Sequence, residues 1–262
     1  MKKVGLALGG GGALGLAHLG VLRVLEENNI PIDCIAGSSI GAVVGAHYSL
    51  YKDLAKLEDD AFSFIKENKF SLFNIETVIE RKERIRKIEF FFEDIFESRK
   101  FEDCKISFAC NALDLESGET VFLNKGILKK AILASMSIPG VFDPVFYWGN
   151  WLVDGGFLDP VPLDYLYTNN YDVLIGVDLH PHKFSEFTKC PTYFEVIQRS
   201  FRIFESKMTL DCISNIQNKI IIKPQYTTVK DLFSIETAKS YIEAGRLGAL
   251  ENIDEIKKAL EK

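Results

Sequence analysis

Three short stretches of this chain bring together residue types that can do nucleophilic chemistry. The first is Gly37-Ser38-Ser39-Ile40-Gly41, a GxSxG pattern at the junction of a predicted strand and a predicted helix. Glycines two positions either side of Ser39 allow a sharp turn and close helix–strand approach, and a helix N-terminus stabilises negative charge beside the hydroxyl. That is the setting of a nucleophilic serine, although a plain small-residue turn has the same composition. The second is Gly9-Gly10-Gly11-Gly12-Ala13-Leu14-Gly15, between the first strand and first helix, where successive backbone N–H groups can form an anion-binding concavity. Gly10, Gly12 and Gly15 also fit GxGxxG, but a dinucleotide site needs an acidic residue at the end of the second strand. Asp33 stands at the start of that strand, and its end carries Gly37 and Ser38. An oxyanion hole for Ser39, built from Gly10, Gly11 and Gly12, is the better explanation of the loop. The third stretch is Asp154-Gly155-Gly156 after the apolar run Trp151 to Val153. An aspartate set by two glycines after a strand is suited to reach a distant side chain, and an ordinary Asp-Gly turn would look the same.

The elements that must position these residues follow from periodicity. Val4 to Leu8 reads as a strand, Gly9 to Gly12 as a loop and Ala13 to Glu27 as an amphipathic helix. Asp33 to Gly37 is a short buried strand running into a helix over Ile40 to Tyr51, so the start has the βαβ pattern of a parallel sheet. From about Asp53 to Phe101 the chain is charged, rich in phenylalanine and helical in period, with Ile85, Ile88, Phe92 and Ile95 on one stripe. It reads as a helical insertion over the sheet. Strands are predicted at Lys105 to Leu113, Thr120 to Leu123, Val173 to Leu179 and Lys219 to Lys223. Helices are predicted at Gly126 to Met136, between Tyr193 and Ile213, and at the C-terminus through Ile242, Ala249, Ile253, Ile256 and Leu260. No repeat or linker marks a boundary, so 1–262 is expected to be one domain with the insertion at about 53–101.

Taken together the three stretches resemble the patatin-like phospholipase family. Gly10 to Gly15 with the following Ala17-His18-Leu19-Gly20-Val21-Leu22 match its glycine-rich loop, Gly37 to Gly41 its elbow and Asp154-Gly155-Gly156 its base motif. Ala134-Ser135-Met136-Ser137-Ile138-Pro139-Gly140-Val141-Phe142 is similar to the segment that precedes the base. The likeness runs from about residue 4 to 180. It implies a three-layer α/β/α fold with a mainly parallel central sheet, and a lipid acyl hydrolase of phospholipase A or lysophospholipase type. It also implies a Ser–Asp dyad in which Ser39 attacks the ester carbonyl, Asp154 accepts its proton and amides around Gly11 and Gly12 hold the oxyanion. Gly15, Gly37, Gly41, Gly155 and Gly156 are the supporting glycines. A dyad predicts a rate that rises through the pKa of Asp154 and has no step in the histidine range. One departure stands out: the family commonly has Arg or Lys where this chain has Leu14. The alternatives are a non-catalytic lipid or acyl-chain binding protein that keeps the elbow as a turn, and more remotely a nucleotide-binding domain.

Composition narrows the setting. With 262 residues and 47% hydrophobic content the chain can bury a substantial core, and a formal charge of −6 disfavours nucleic acid as a partner. Five cysteines without a CxxC pair suit reduced thiols and a cytoplasmic location, peripheral contact with a membrane included. Lys2 and Lys3 before an uncharged run mimic a signal peptide, but seven glycines between Val4 and Leu22 make that run a poor continuous helix. No metal constellation is visible, and catalysis without a cofactor is expected. Four histidines remain. His18 and His47 fall within helices, and His180-Pro181-His182 ends a strand from which a histidine base could approach the site. A lipid ester is the expected substrate. Phe62, Phe64, Phe70, Phe73, Phe90, Phe91, Phe92 and Phe96 sit in the insertion near Arg81, Lys82, Arg84, Arg86 and Lys87, diluted by Glu80, Glu83 and Glu89. Core packing, a solvated helix face and transient membrane-surface contact through this insertion are its three readings.

Overall fold

The first strand shows how the layers arise. In β1 (Val4–Leu8) all five residues are buried, and side chains alternate between two faces. Val4, Leu6 and Leu8 join the larger core, Ala7 joins a smaller one and Gly5 lies against Leu166. A strand covered on both faces belongs inside a helix–sheet–helix sandwich. The computed structural model describes residues 2–67, 78–180, 184, 186–187, 190–226 and 234–261. Phe70, Phe73, Pro181 and His182 lie outside the described residues, as do the side chains of Glu80, Arg81 and Arg84.

The sheet has eight strands. β1, β2 (Cys34–Gly37), β3 (Ser107–Asp114), β7 (Val173–Val177) and β8 (Lys219–Ile222) are parallel in the order β3-β2-β1-β7-β8. β4 (Thr120–Leu123) and β6 (Asn150–Asp154) pair antiparallel with β3, and β5 (Val145–Tyr147) pairs with β6. The larger core packs α1 (Ala17–Glu27), α2 (Ile40–Tyr51), α4 (Val78–Phe96), α5 (Leu128–Ser135) and α8 (Ile235–Glu261) over one face. α6 (Leu163–Thr168) and the end of α7 (Tyr193–Ser214) cover the other. α3 (Leu54–Glu67) and α4 fill the stretch read as a helical insertion. The mainly parallel α/β architecture is therefore the one expected.

Differences from the sequence reading are local and have physical reasons. The helix expected from Ala13 begins as a tight 3-10 turn over Gly12–Leu16, and only Ala17 onward is α-helical. Gly15 lies so close to Ile40 that a Cβ there would be 2.3 Å from Cγ1. α1, expected to be amphipathic, is buried on its outer side too, because α8 crosses it. A Cβ on Gly20 would stand 1.9 Å from the Ile242 carbonyl oxygen, and one on Gly245 1.9 Å from that of Ala17. β5 and α6 had no counterpart in the sequence reading. Three and six residues are too short for a period to show.

Candidate active site

Strand register brings the second and third motifs together. Gly37 of β2 pairs with Cys110 of β3, and Cys110 also pairs with Leu123 of β4, so β2 and β4 occupy opposite edges of β3. Ala112 likewise pairs with both Val121 of β4 and Asp154 of β6. β6 therefore takes over the edge of β3 that β2 leaves at Gly37. Asp154 falls two positions further along β3, beside the turn that follows β2, at the carboxyl ends of the parallel strands, where α/β sheets bind their ligands.

That turn carries Ser39 at φ 53°, ψ −121°, a left-handed backbone an L-residue rarely adopts. The geometry is that of a strand–turn–helix elbow. Space for it depends on its glycines: a Cβ at Gly41 would lie 2.0 Å from the Leu8 carbonyl oxygen, and one at Gly37 2.5 Å from Ala42 Cα. Ser39 Oγ donates to Asp154 Oδ2 at 2.6 Å, and both residues are buried. The other carboxylate oxygen, Oδ1, accepts the Gly156 N–H at 2.8 Å. From α5, Ser135 Oγ accepts the Ser39 N–H at 3.0 Å, and the Asp154 N–H donates to the Ser137 carbonyl at 3.0 Å. Sequence reasoning quoted Ser135 only as part of a family segment. Its role depends on a contact 96 residues away in the chain.

Burial pushes the Asp154 carboxyl up to about 7, against the hydrogen bonds from Ser39 and Gly156 that favour the anion. Nearby Glu205 of α7 raises it further, and His180 opposes that. A Cβ at Gly156 would be 3.1 Å from Asp154 Oδ1 and 3.5 Å from Glu205 Oε1, so this glycine separates the two carboxylates. Burial therefore brings the Asp154 carboxyl into the range in which a histidine ordinarily titrates. His180 does not contact Ser39. Its N–H donates to Asp178 Oδ1 at 3.0 Å, its Nδ1 lies 3.2 Å from the same oxygen, and its Nε2 lies 3.7 Å from Glu205 Oε2.

The glycine loop reaches the site from β1. A Cβ on Gly10 would sit 3.4 Å from Ser39 Cβ, so the loop passes against Ser39. The Gly10 N–H, expected among the oxyanion donors, is occupied: it donates to the Pro160 carbonyl at 2.9 Å. Gly11 (φ 154°) and Gly12 (φ 59°) carry the backbone that needs glycine, and their N–H groups have no acceptor among the described residues. Buried His18, one turn into the following helix, holds the loop from below, with Nε2 2.8 Å from the Gly9 carbonyl oxygen. Burial lowers His18 to about 4, so at neutral pH it is an uncharged donor to that carbonyl.

An apolar cavity of about 160 Å³ opens at Ser39, Gly12 and Ile40 and runs between α2 and the α3–α4 pair. Val43, Phe64, Phe91, Phe92, Ile138, Val141 and Phe142 line it. Of the insertion's described phenylalanines, Phe92 and Phe96 are buried, Phe62, Phe64 and Phe91 are half-buried, and Phe90 alone is exposed, at 69%. His47 and Asp60 also line it as a polar pair, Nε2 to Oδ2 2.8 Å.

A serine on a strained elbow, hydrogen-bonded to a buried carboxylate at the carboxyl end of a parallel sheet, has the parts that nucleophilic ester hydrolysis uses. The comparison with known proteins narrows this. The family model described as "Patatin-like phospholipase" matches residues 6–167, and the chain belongs to that family. It is 32% identical over 182 residues to the lysophospholipase nte1 of Aspergillus fumigatus, covering 68% of this chain and 12% of that protein. It is 30% identical over 249 residues to the lysophospholipase NTE1 of Debaryomyces hansenii, covering 91% of this chain and 15% of that protein. The chain thus spans only a small part of these relatives' length. Among solved structures it is similar to VipD from Legionella pneumophila, with a TM-score of 0.56, 13% identity, and coverage of 97% of this chain and 67% of that one.

Proposed function

We propose that this chain is a lipid acyl hydrolase that cleaves the ester of a phospholipid or lysophospholipid through Ser39 and Asp154. The observation that carries the reading is the 2.6 Å hydrogen bond from Ser39 Oγ to Asp154 Oδ2 at the mouth of an apolar cavity. The cavity takes the acyl chain, which sets the ester carbonyl over Ser39. Asp154 accepts the hydroxyl proton as Oγ bonds to the carbonyl carbon, and the Gly11 and Gly12 N–H groups hold the oxyanion. Collapse of the tetrahedral intermediate returns the proton to the leaving alcohol. Water, deprotonated by Asp154, then releases the fatty acid and restores Ser39. Leu14 leaves these backbone donors in place, so the loop works without the family's usual cation.

The test is a fluorophosphonate label together with turnover of a lysophospholipid. Wild-type protein is expected to label at Ser39 and release fatty acid, and Ser39→Ala to do neither while keeping its fold. A folded wild-type protein that binds fatty acid but neither labels nor turns over would make it an acyl-chain binding protein.

A further inference from the structure

β5 and β6 form a hairpin whose placement is fixed by register. Leu152 pairs with Asp114, the last residue of β3, so Trp151 and everything before it project past the carboxyl end of the sheet. At about 3.3 Å per residue the tip of the hairpin reaches roughly 10 Å past Leu152, on the end of the sheet that holds Ser39 and Asp154. Phe146 lies directly across from Trp151, ring centroids 5.1 Å apart, and the Leu115 N–H donates to the Trp151 carbonyl at 2.9 Å. Leu115, Trp151 and Phe146 thus form a row across three strands, 53%, 46% and 56% exposed, with Trp148 at the tip 46% exposed. Exposed aromatic rows of this kind mark interaction surfaces.

The tip gives the second observation. Tyr147 pairs with Asn150, which leaves Trp148-Gly149 as a two-residue turn with φ of 55° and 90°. Such turns favour Asn, Asp or Gly at the first position, and a bulky side chain there is strained. The Trp148 ring stacks on Tyr147, centroids 5.3 Å apart, yet its backbone is strained, and strain of this sort clusters at functional sites. The hairpin is nonetheless firmly anchored: Tyr147 Oη accepts the Ile127 N–H at 3.1 Å, and Asn150 Nδ2 donates to Asp114 Oδ2 at 2.8 Å.

We propose that this hairpin is the surface by which the protein docks on a zwitterionic phospholipid layer. Tryptophan and phenylalanine prefer the boundary between head groups and acyl chains. The charges beside the row complement a head group carrying both signs: the Lys125 ammonium stands 5.2 Å over the Trp148 ring, and exposed Glu116 follows Leu115. A net charge of −6 disfavours an anionic layer. The hairpin is also joined to the site along the chain, because Ile138, Val141 and Phe142, which line the cavity, lead through Asp143 and Pro144 into β5. The inference deepens the proposed lipid hydrolysis by naming where the substrate is met, and its binding test stands apart from turnover.

The chain contains two tryptophans, Trp148 and Trp151, so intrinsic fluorescence reports this hairpin alone. With the Ser39→Ala protein and phosphatidylcholine vesicles, the emission is expected to shift to the blue and to be quenched by brominated acyl chains. Trp148→Asn is expected to fold at least as stably as the parent, because asparagine suits the turn, and to sediment with vesicles at least tenfold less. Its turnover of a soluble short-chain ester should be unchanged. Phe146→Ser, which keeps both fluorophores, should lose the shift. Vesicle binding with an unchanged tryptophan spectrum would place the contact elsewhere and overturn the proposal. So would absence of vesicle binding, or a concentration-dependent dimer that Trp148→Asn abolishes. A blue shift in a protein whose wild type hydrolyses no ester would leave the surface standing and sink the reading of the site.

Discussion

At the scale of single residues, burial sets how the proposed base, Asp154, behaves. With the Asp154 carboxyl at about 7, kcat/KM should rise with pH through a midpoint near neutrality, because only the anion accepts the serine proton. A pH–rate profile on a soluble ester checks this, and a midpoint near 4 would show a solvated carboxylate instead. Glu205→Gln removes the neighbouring negative charge and should move the midpoint down, whereas His180→Gln should move it up. Both proteins should remain active, which separates tuning from proton acceptance. Asp154→Asn should be as inactive as Ser39→Ala. Ser135→Ala deprives the buried Ser39 N–H of its acceptor and is expected to lower kcat about tenfold, in line with a lost hydrogen bond of roughly 1.4 kcal/mol. Ser39, Asp154 and the glycines could be read from the sequence because each motif is local and constrained by backbone geometry. Ser135, Glu205 and the Pro160 carbonyl that occupies Gly10 could not, since each contact joins segments far apart in the chain. The raised titration of Asp154 was invisible for the same reason, because desolvation is a property of the assembled site.

Helices decide what the site can hold. α2 presents Val43 to the cavity, and α3 and α4 close it with Phe64, Phe91 and Phe92. Filling this space from α2 should obstruct long acyl chains while sparing small ones. The expected outcome for Val43→Phe is a fall in kcat/KM for a long-chain ester at least tenfold greater than for an acetate ester, read as the ratio of the two. Equal losses would show that the chain runs elsewhere. α3 and α4 stand where the period predicted helix, and of the stripe Ile85, Ile88, Phe92 and Ile95 the last three are buried and Ile85 is half-buried. Its phenylalanine density carried no information about direction, since a period gives the face of a helix but not what lies opposite. The hairpin of β5 and β6 shows the reverse limit. Three residues between Val145 and Tyr147 make too short a strand to announce themselves, although Trp151 to Val153 did mark the strand that delivers Asp154.

Over the molecule as a whole, buried carboxylates set how stability depends on pH. Asp159 is pushed up to about 7, chiefly by burial and then by the charge of Asp164, with Asn111 opposing. Its folded pKa lies above its unfolded value, so the favourable contribution is complete below about pH 4 and is lost as pH rises through about 7. Asp159→Asn should therefore melt higher than wild type at pH 8, by roughly 4 °C or more, with the two curves converging toward pH 4. Calorimetry across that range measures it, and an equal offset at every pH would mean that lost packing, not charge, governs the site. The parallel sheet and its helical layers were legible from the alternation of strand and helix at the start of the chain, whereas the manner in which its last helix closes on its first was not. Gly20 of α1 and Gly245 of α8 let two backbones touch, and α1 begins directly after the loop that His18 ties down through Gly9. The C-terminal helix thus backs the helix that follows the glycine loop, although the family match ends at residue 167. Anyone trimming the chain to its recognisable motif would keep Ser39, Asp154 and the glycine loop, and discard both Glu205 of α7, near Asp154, and the helix against which α1 packs.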